Sequence, residues 1–176
     1  VIEPFTEYFS RKGSLLILAF ILLYKLGDAM GSAMTTPFIL GELKYPKDVY
    51  GAVVKTFGLF ATLGGGLLGG ALLLRLKLRT ALWVFGFLQA ASTLAFAALI
   101  QAQGSVVALA GVIAFENLTA GMGSSAHVAL MATQTHQKYT ATQYALLSSL
   151  MAVPRVLASA GTGFLVTAIG WQAFFV

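Results

Sequence analysis

The chain has 176 residues, 58% hydrophobic and only 10% charged, with a net charge of +5 and a mean hydropathy of +0.84. Soluble domains carry about 25% charged residues, so the composition excludes a soluble domain and identifies an integral membrane protein. Its basic residues are split between helix ends and helix interiors without forming a basic face, which gives no pointer to nucleic acid. The absence of cysteine excludes disulfides and thiolate metal sites.

Residues 1–13 alternate aromatic and charged residues, and Phe5, Tyr8 and Phe9, followed by Arg11 and Lys12, fit a short amphipathic segment on the membrane surface. Glu3 and Glu7 ahead of a long apolar run do not read as a cleavable signal peptide, and the initial valine reads as the interior of a longer protein. A first span is expected over about 14–40, long enough for a bilayer core that needs about 20 apolar residues. Lys25 and Asp28 interrupt it near its middle, three positions apart and on one helical face. Ionised groups at that depth are expensive and face the protein interior or a wet cavity. Such a pair either fixes helix packing or takes part in transport.

A polar loop with cancelling charges, GELKYPKD, leads to a second span over about 49–74, with Lys55 near its start. Gly64, Gly65, Gly66, Gly69 and Gly70 form overlapping GxxxG spacings that admit another helix closely. Arg75, Lys77 and Arg79 make the most basic loop, placed in the cytoplasm by the positive-inside rule. Alternation then puts Arg11, Lys12 and Lys138 on the same side. The third span, about 80–100, carries no charge and opens with Trp83.

The fourth span, about 105–135, contains Glu116, Asn117 and a stripe of Ala120, Gly123, Ser124 and His127. The stripe can line a water-filled path or simply admit a neighbouring helix. The fifth span, about 141–169, begins near Gln143 and holds Pro154, expected to bend it, and Arg155. A sixth span starts at 171.

Helical rise puts Glu116 about 16 Å from the outer end of its span and Arg155 about 20 Å from the inner end of its own. Lys55 comes about 9 Å below the outer surface and Asp28 about 21 Å above the inner one. In a core about 30 Å thick, charges from four helices thus share a central slab, with Lys25 among them. Asp28 and Glu116 are the candidates for proton coupling. Lys25, Lys55 and Arg155 are the candidate partners, to those carboxylates or to an anionic substrate. Asn117, Ser124 and Gln143 are candidate cavity-lining residues. The alternative is two neutralised pairs that only fix helix geometry.

Ser124, Ser125 and His127 share one stretch of helix without a signalled oxyanion site, so no enzyme activity is expected. His127 and His136 lack metal-ligand spacing and are expected at the interfaces. No metal and no cofactor is expected.

LLYKLGDAMGSAMTTPFIL, KTFGLFATLGGGLLGGALLLRLKLRTAL, FENLTAGMGSSAHVAL and TATQYALLSSLMAVPRVLASAGTGFLVTAIGW, in that order, resemble the second half of the AmpG-type muropeptide permeases of the major facilitator superfamily. The segment Gly70 to Arg79 is similar to that superfamily's loop between helices eight and nine, with Leu74 where an aspartate is usual. The resemblance implies an all-α membrane fold, half of a twelve-helix bundle, with five transmembrane helices and the start of a sixth. It implies a missing N-terminal six-helix half and a multi-pass location in the bacterial inner membrane. The function it implies is import of anhydromuropeptides, anionic glycopeptides from cell-wall breakdown, driven by the proton gradient. On that reading Lys25 and Asp28 belong to helix seven, Lys55 to eight, Glu116 to ten and Arg155 to eleven, while the uncharged ninth lies outside. A related carrier of acetyl-CoA-like, sugar or peptide cargo is the nearest alternative, and a non-transporting scaffold or sensor the next.

Overall fold

A backbone that crosses lipid must satisfy its own hydrogen bonds, and helix is the only regular structure formed by the described residues of the protein, 2–102 and 104–176 of a computed structural model. A short helix, α1 (Glu3–Ser10), precedes Gly13, whose φ of 86° turns the chain into α2 (Ser14–Pro37). Pro37 cannot donate to the ladder, and the helix widens beyond it into a π turn, Phe38–Glu42. The second span is α3 (Lys47–Val53), a π turn over Val54–Gly58, and α4 (Leu59–Leu73). Then come α5 (Leu78–Leu99) and α6 (Val106–Thr133), the latter capped by the Ser105 hydroxyl, which accepts from the Ala108 N–H at 3.2 Å. A 3₁₀ turn, Gln137–Tyr139, enters α7 (Thr140–Leu150), which gives way at Met151 to α8 (Ala152–Phe175).

Five of these continuous stretches are long and apolar enough to cross a membrane. Pro154 lies in the first turn of α8, where its missing N–H would have no helical partner, so the interruption falls at Met151 ahead of it. Within α8 the chain leaves helical geometry at Gly170 (φ 80°, ψ 163°), and Trp171–Phe175 turns back onto Phe38 and Phe96.

The helices alternate in direction and leave two distinct ends. At one end, α1, the α4–α5 loop and the α6–α7 turn gather Arg11, Arg75, Lys77 and Lys138; Tyr8, Leu18, Ile21, Met131 and Leu147 form the apolar cluster beneath. At the other, Phe38, Ile39, Phe96, Leu109, Ile113 and Phe175 pack together, and the Tyr45 hydroxyl donates to the Ser105 carbonyl at 3.1 Å.

The axis of the assembly is the α4–α6 contact. A Cβ added at Gly65 would lie 2.0 Å from the Leu118 carbonyl oxygen, one at Gly69 2.8 Å from Met122 Cα, and one at Gly121 2.5 Å from the Thr62 carbonyl oxygen. Glycines on both helices therefore let backbone meet backbone, the close approach expected of small-residue spacing. The Ser125 hydroxyl adds a hydrogen bond to the Gly66 carbonyl at 2.9 Å.

Candidate functional site

With α4 pressed on one side of α6 and α5 on the other, the polar residues of α6 are distributed by rotation. Gly121 and Ser125 meet α4, Gly123 meets α5, and Ala120 and Ser124 open towards α2. Part of the small-residue stripe thus lines a cleft and part of it admits a neighbouring helix.

Asp28 stands where three open clefts meet. The first, about 580 Å³, lies among α2, α4 and α6 and is lined by Asp28, Ser32, Thr62, Glu116, Asn117 and Ser124. The second, about 750 Å³, lies between α2 and α8 and is lined by Lys25, Asp28, Ser32, Ser124 and Arg155. The third, about 470 Å³, lies between α2 and α5 and is lined by Tyr24, Asp28, Gln89 and Thr93. Ser32 and Ser124 are common to the first two, so their polar walls are continuous.

The Lys25 ammonium, on an almost fully buried side chain, donates to Asp28 Oδ2 at 3.0 Å. The other carboxylate oxygen, Oδ1, accepts from Gln89 Nε2 of α5. Glu116 Oε2 accepts from the neighbouring Asn117 amide at 2.9 Å, and Asn117 Oδ1 takes the Thr62 hydroxyl at 3.0 Å. Among the described residues the Glu116 carboxylate thus accepts from one neutral donor, Asn117, and the ion pair of Asp28 is to its own helix. Arg155 is exposed into the second cleft without an ion pair among the described residues. Two carboxylates therefore face one cleft, and two cations face the other, with Asp28 shared.

Several expectations need correction. Lys55 is level with Asp28 by helical rise but sits exposed in the π turn Val54–Gly58, outside the linings of all three clefts and without an ion pair among the described residues. Depth alone does not fix which way a side chain faces. Gln143 lines none of these clefts. It is buried at the basic end, where Nε2 donates to the Pro4 carbonyl at 2.9 Å and to Glu7 Oε2 at 2.6 Å, and Oε1 accepts from the His136 N–H at 2.6 Å. Its position in the first turn of α7 keeps it far from mid-span. His127 is not interfacial: α6 continues six residues past it, and its ring is fully buried, stacked on Tyr24 at 5.5 Å, with both nitrogens unpartnered.

Gln89 is uncharged and lies in a stretch of α5, residues 80–99, that holds no charged residue, so no intramembrane ion marks it in the sequence. A lone amide in the middle of an apolar span was the available signal, since buried polar groups require partners. Arg75 and Lys77 lie in the α4–α5 loop and Arg79 in the first turn of α5, far from the clefts. Among the described residues no group of three or more metal-ligating side chains is present.

Apolar crossing helices arranged around polar clefts, with ionisable side chains held at mid-span, define a multi-pass membrane protein. No family model matches the chain. Relatives narrow the class: the anhydromuropeptide permease of Escherichia coli K12 is 42% identical over 176 residues, all of this chain and 36% of the permease. AmpG 4 of Rickettsia conorii is 38% identical over 176 residues, 42% of its length, and AmpG 1 of Rickettsia felis 33% identical over 163 residues, 92% of this chain and 36% of that protein. From end to end the chain is an AmpG-type permease sequence. It spans well under half the length of these relatives.

Proposed function

We propose that the chain is the C-terminal half of a proton-coupled importer of anhydromuropeptides that works by alternating access in the bacterial inner membrane. The basic end faces the cytoplasm, a six-helix N-terminal half completes the path, and the proton gradient drives uptake without cofactor or covalent chemistry. The observation that supports this best is the double role of Asp28, which pairs with Lys25 and lines the cleft shared by Lys25 and Arg155.

A proton arriving on Asp28 removes the counter-charge from Lys25. The freed ammonium and the Arg155 guanidinium then present two cations to an anionic group in the second cleft. Proton and anion each favour binding of the other, and by linkage the effect is reciprocal. When Asp28 loses its proton, Lys25 returns to it and the anion is released. Glu116, held by the Asn117 amide in the first cleft, is the second group that can take a proton. Lys55, exposed outside the clefts, has no role in this cycle.

The test is uptake of an anhydromuropeptide by vesicles holding the full-length protein under an imposed pH gradient. Asp28→Asn, which cannot carry the charge in either state, should abolish gradient-driven uptake while the protein inserts normally. Normal uptake by Asp28→Asn removes Asp28 from coupling. Competition by a sugar or a coenzyme A ester, with no effect of muropeptide, assigns the carrier another cargo.

A further inference from the structure

We propose that Gln89 is a positioning residue for Asp28, its side-chain amide serving the carboxylate in both the charged and the protonated form. The inference rests on the reading of Asp28 as the proton-responsive group.

Three observations carry it. Gln89 is 7% exposed, in the middle of α5, and its Nε2 donates to Asp28 Oδ1 across the 470 Å³ cleft. Its backbone is secured as well: its carbonyl accepts from the Ser92 hydroxyl at 2.7 Å and the Thr93 hydroxyl at 3.1 Å, and Ser92 is tied to Thr119 of α6 at 3.0 Å. Finally, the space for its amide depends on Gly123, where an added Cβ would lie 2.9 Å from Gln89 Oε1. A glycine on α6, an amide on α5 and a carboxylate on α2 thus form one cross-helix unit.

The chemistry of the amide explains the choice. A lysine can only donate, and so cannot accept the O–H of a protonated carboxylate. An amide offers N–H₂ to a carboxylate and, turned over about its last bond, C=O to the O–H of a carboxylic acid. Lys25 can then leave Asp28 without stranding a buried proton, because Gln89 remains to hold it in place. Removing a charge-assisted donor favours the protonated form, because hydrogen bonds to an ionised acceptor are roughly twice as strong as neutral ones. The charged and titratable groups around Asp28 are Lys25 and Tyr24 of α2, Tyr50 of α3, Glu116 of α6 and Arg155 of α8, all on linings shared with it. None is altered by substitution at Gln89.

The test uses the full-length transporter in vesicles, measuring uptake of an anhydromuropeptide against pH. Gln89→Leu should lower maximal uptake by about tenfold or more, as expected for a lost hydrogen bond to a charged group, and move the alkaline midpoint upward by about one pH unit. Gly123→Ala keeps every polar group, and the flexible end of Gln89 can yield to the new methyl. It should give the same upward midpoint shift as Gln89→Leu. If Asp28→Asn abolishes uptake but Gln89→Leu and Gly123→Ala leave the pH profile unchanged, the positioning role is overturned and the coupling carboxylate stands. If Asp28→Asn transports normally, the reading beneath both is lost. A uniform fall in uptake with no midpoint shift in any variant means that Gln89 only packs, and also overturns the proposal.

Discussion

At the scale of single residues, glycines decide how close the helices come. Gly65 and Gly70 lie on the same helix, yet a Cβ at Gly65 would meet the Leu118 backbone at 2.0 Å while one at Gly70 meets nothing within 4 Å. Gly65→Ala should therefore lower the thermal midpoint of the detergent-solubilised protein, with overpacking of about 1–3 kcal/mol or more. Gly70→Ala should leave it unchanged or raise it, since alanine is favoured over glycine in helices by about 1 kcal/mol. Equal losses at the two positions would show that contact with α6 is not what Gly65 supplies. The glycine spacing was readable in the sequence because it repeats every four residues; the partner was not, since the spacing says that something approaches and not what. Charges gave a similar half-answer. Intramembrane ions announce themselves by their expense, so Lys25, Asp28, Glu116 and Arg155 stood out and all line the clefts. The uncharged Gln89 and the buried ring of His127 gave no comparable signal, and Lys55 gave one while lying exposed outside the clefts.

At the scale of elements, the number of spans followed from length and hydropathy, while the connections between them depend on side chains that no periodicity records. The π turns over Phe38–Glu42 and Val54–Gly58 are one such case, and the docking of α1 is another. Arg11 donates twice to Glu7, at 2.7 and 2.8 Å through Nη2, and its Nη1 donates to the Gln134 carbonyl at 2.7 Å. Gln143 reaches Glu7 from α7, and the Tyr139 hydroxyl donates to Glu3 at 2.7 Å. The amphipathic segment read from the sequence is thus tied to the α6–α7 turn and the start of α7 through five side chains, Glu3, Glu7 and Arg11 on one side and Tyr139 and Gln143 on the other. The Gln143 amide foremost, and Arg11 with it, hold the Glu7 carboxylate below its usual range. A lowered carboxylate contributes stability that is fully present above its unfolded value, about 4.3 for glutamate, and is lost as pH falls through the folded value. Protection of α1 against hydrogen exchange in the full protein, taken relative to the intrinsic rate at each pH, should therefore be the same at pH 8 and pH 6 and fall as the Glu7 carboxylate takes its proton in acid. Glu7→Gln at pH 7 should show the raised exchange of the acid state. Exchange that ignores both the acid and the substitution would mean that apolar contacts of Tyr8, not the carboxylate, hold α1 down.

At the scale of the whole molecule, the two ends carry different charge, and the proposed orientation of the clefts rests on that asymmetry. Arg11, Lys12, Arg75, Lys77, Arg79 and Lys138 lie at one end, whereas Lys44 and Lys47 at the other are offset by Glu42 and Asp48. Lys and Arg in short loops are retained on the cytoplasmic side. The second cleft, with Lys25 and Arg155, lies towards the basic end of α2 relative to the first, because Lys25 precedes Asp28 along a helix that starts there. On the proposed orientation, import would bring an anion to Lys25 and Arg155 late in the crossing, close to where it is released, and the proton proposed for Asp28 would leave towards the same side. The chain contains no cysteine, so single thiols can report the orientation if any cysteines in the remainder of the protein are replaced. In intact cells, Lys47→Cys should react with a membrane-impermeant maleimide added outside, and Lys77→Cys only after the membrane is opened. Both residues are exposed and at helix ends, so the substitutions alter neither packing nor the clefts. The reverse pattern would invert the order in which substrate meets the two clefts. Proton-coupled import through Lys25 and Arg155 would then have to begin at the cations instead of ending there.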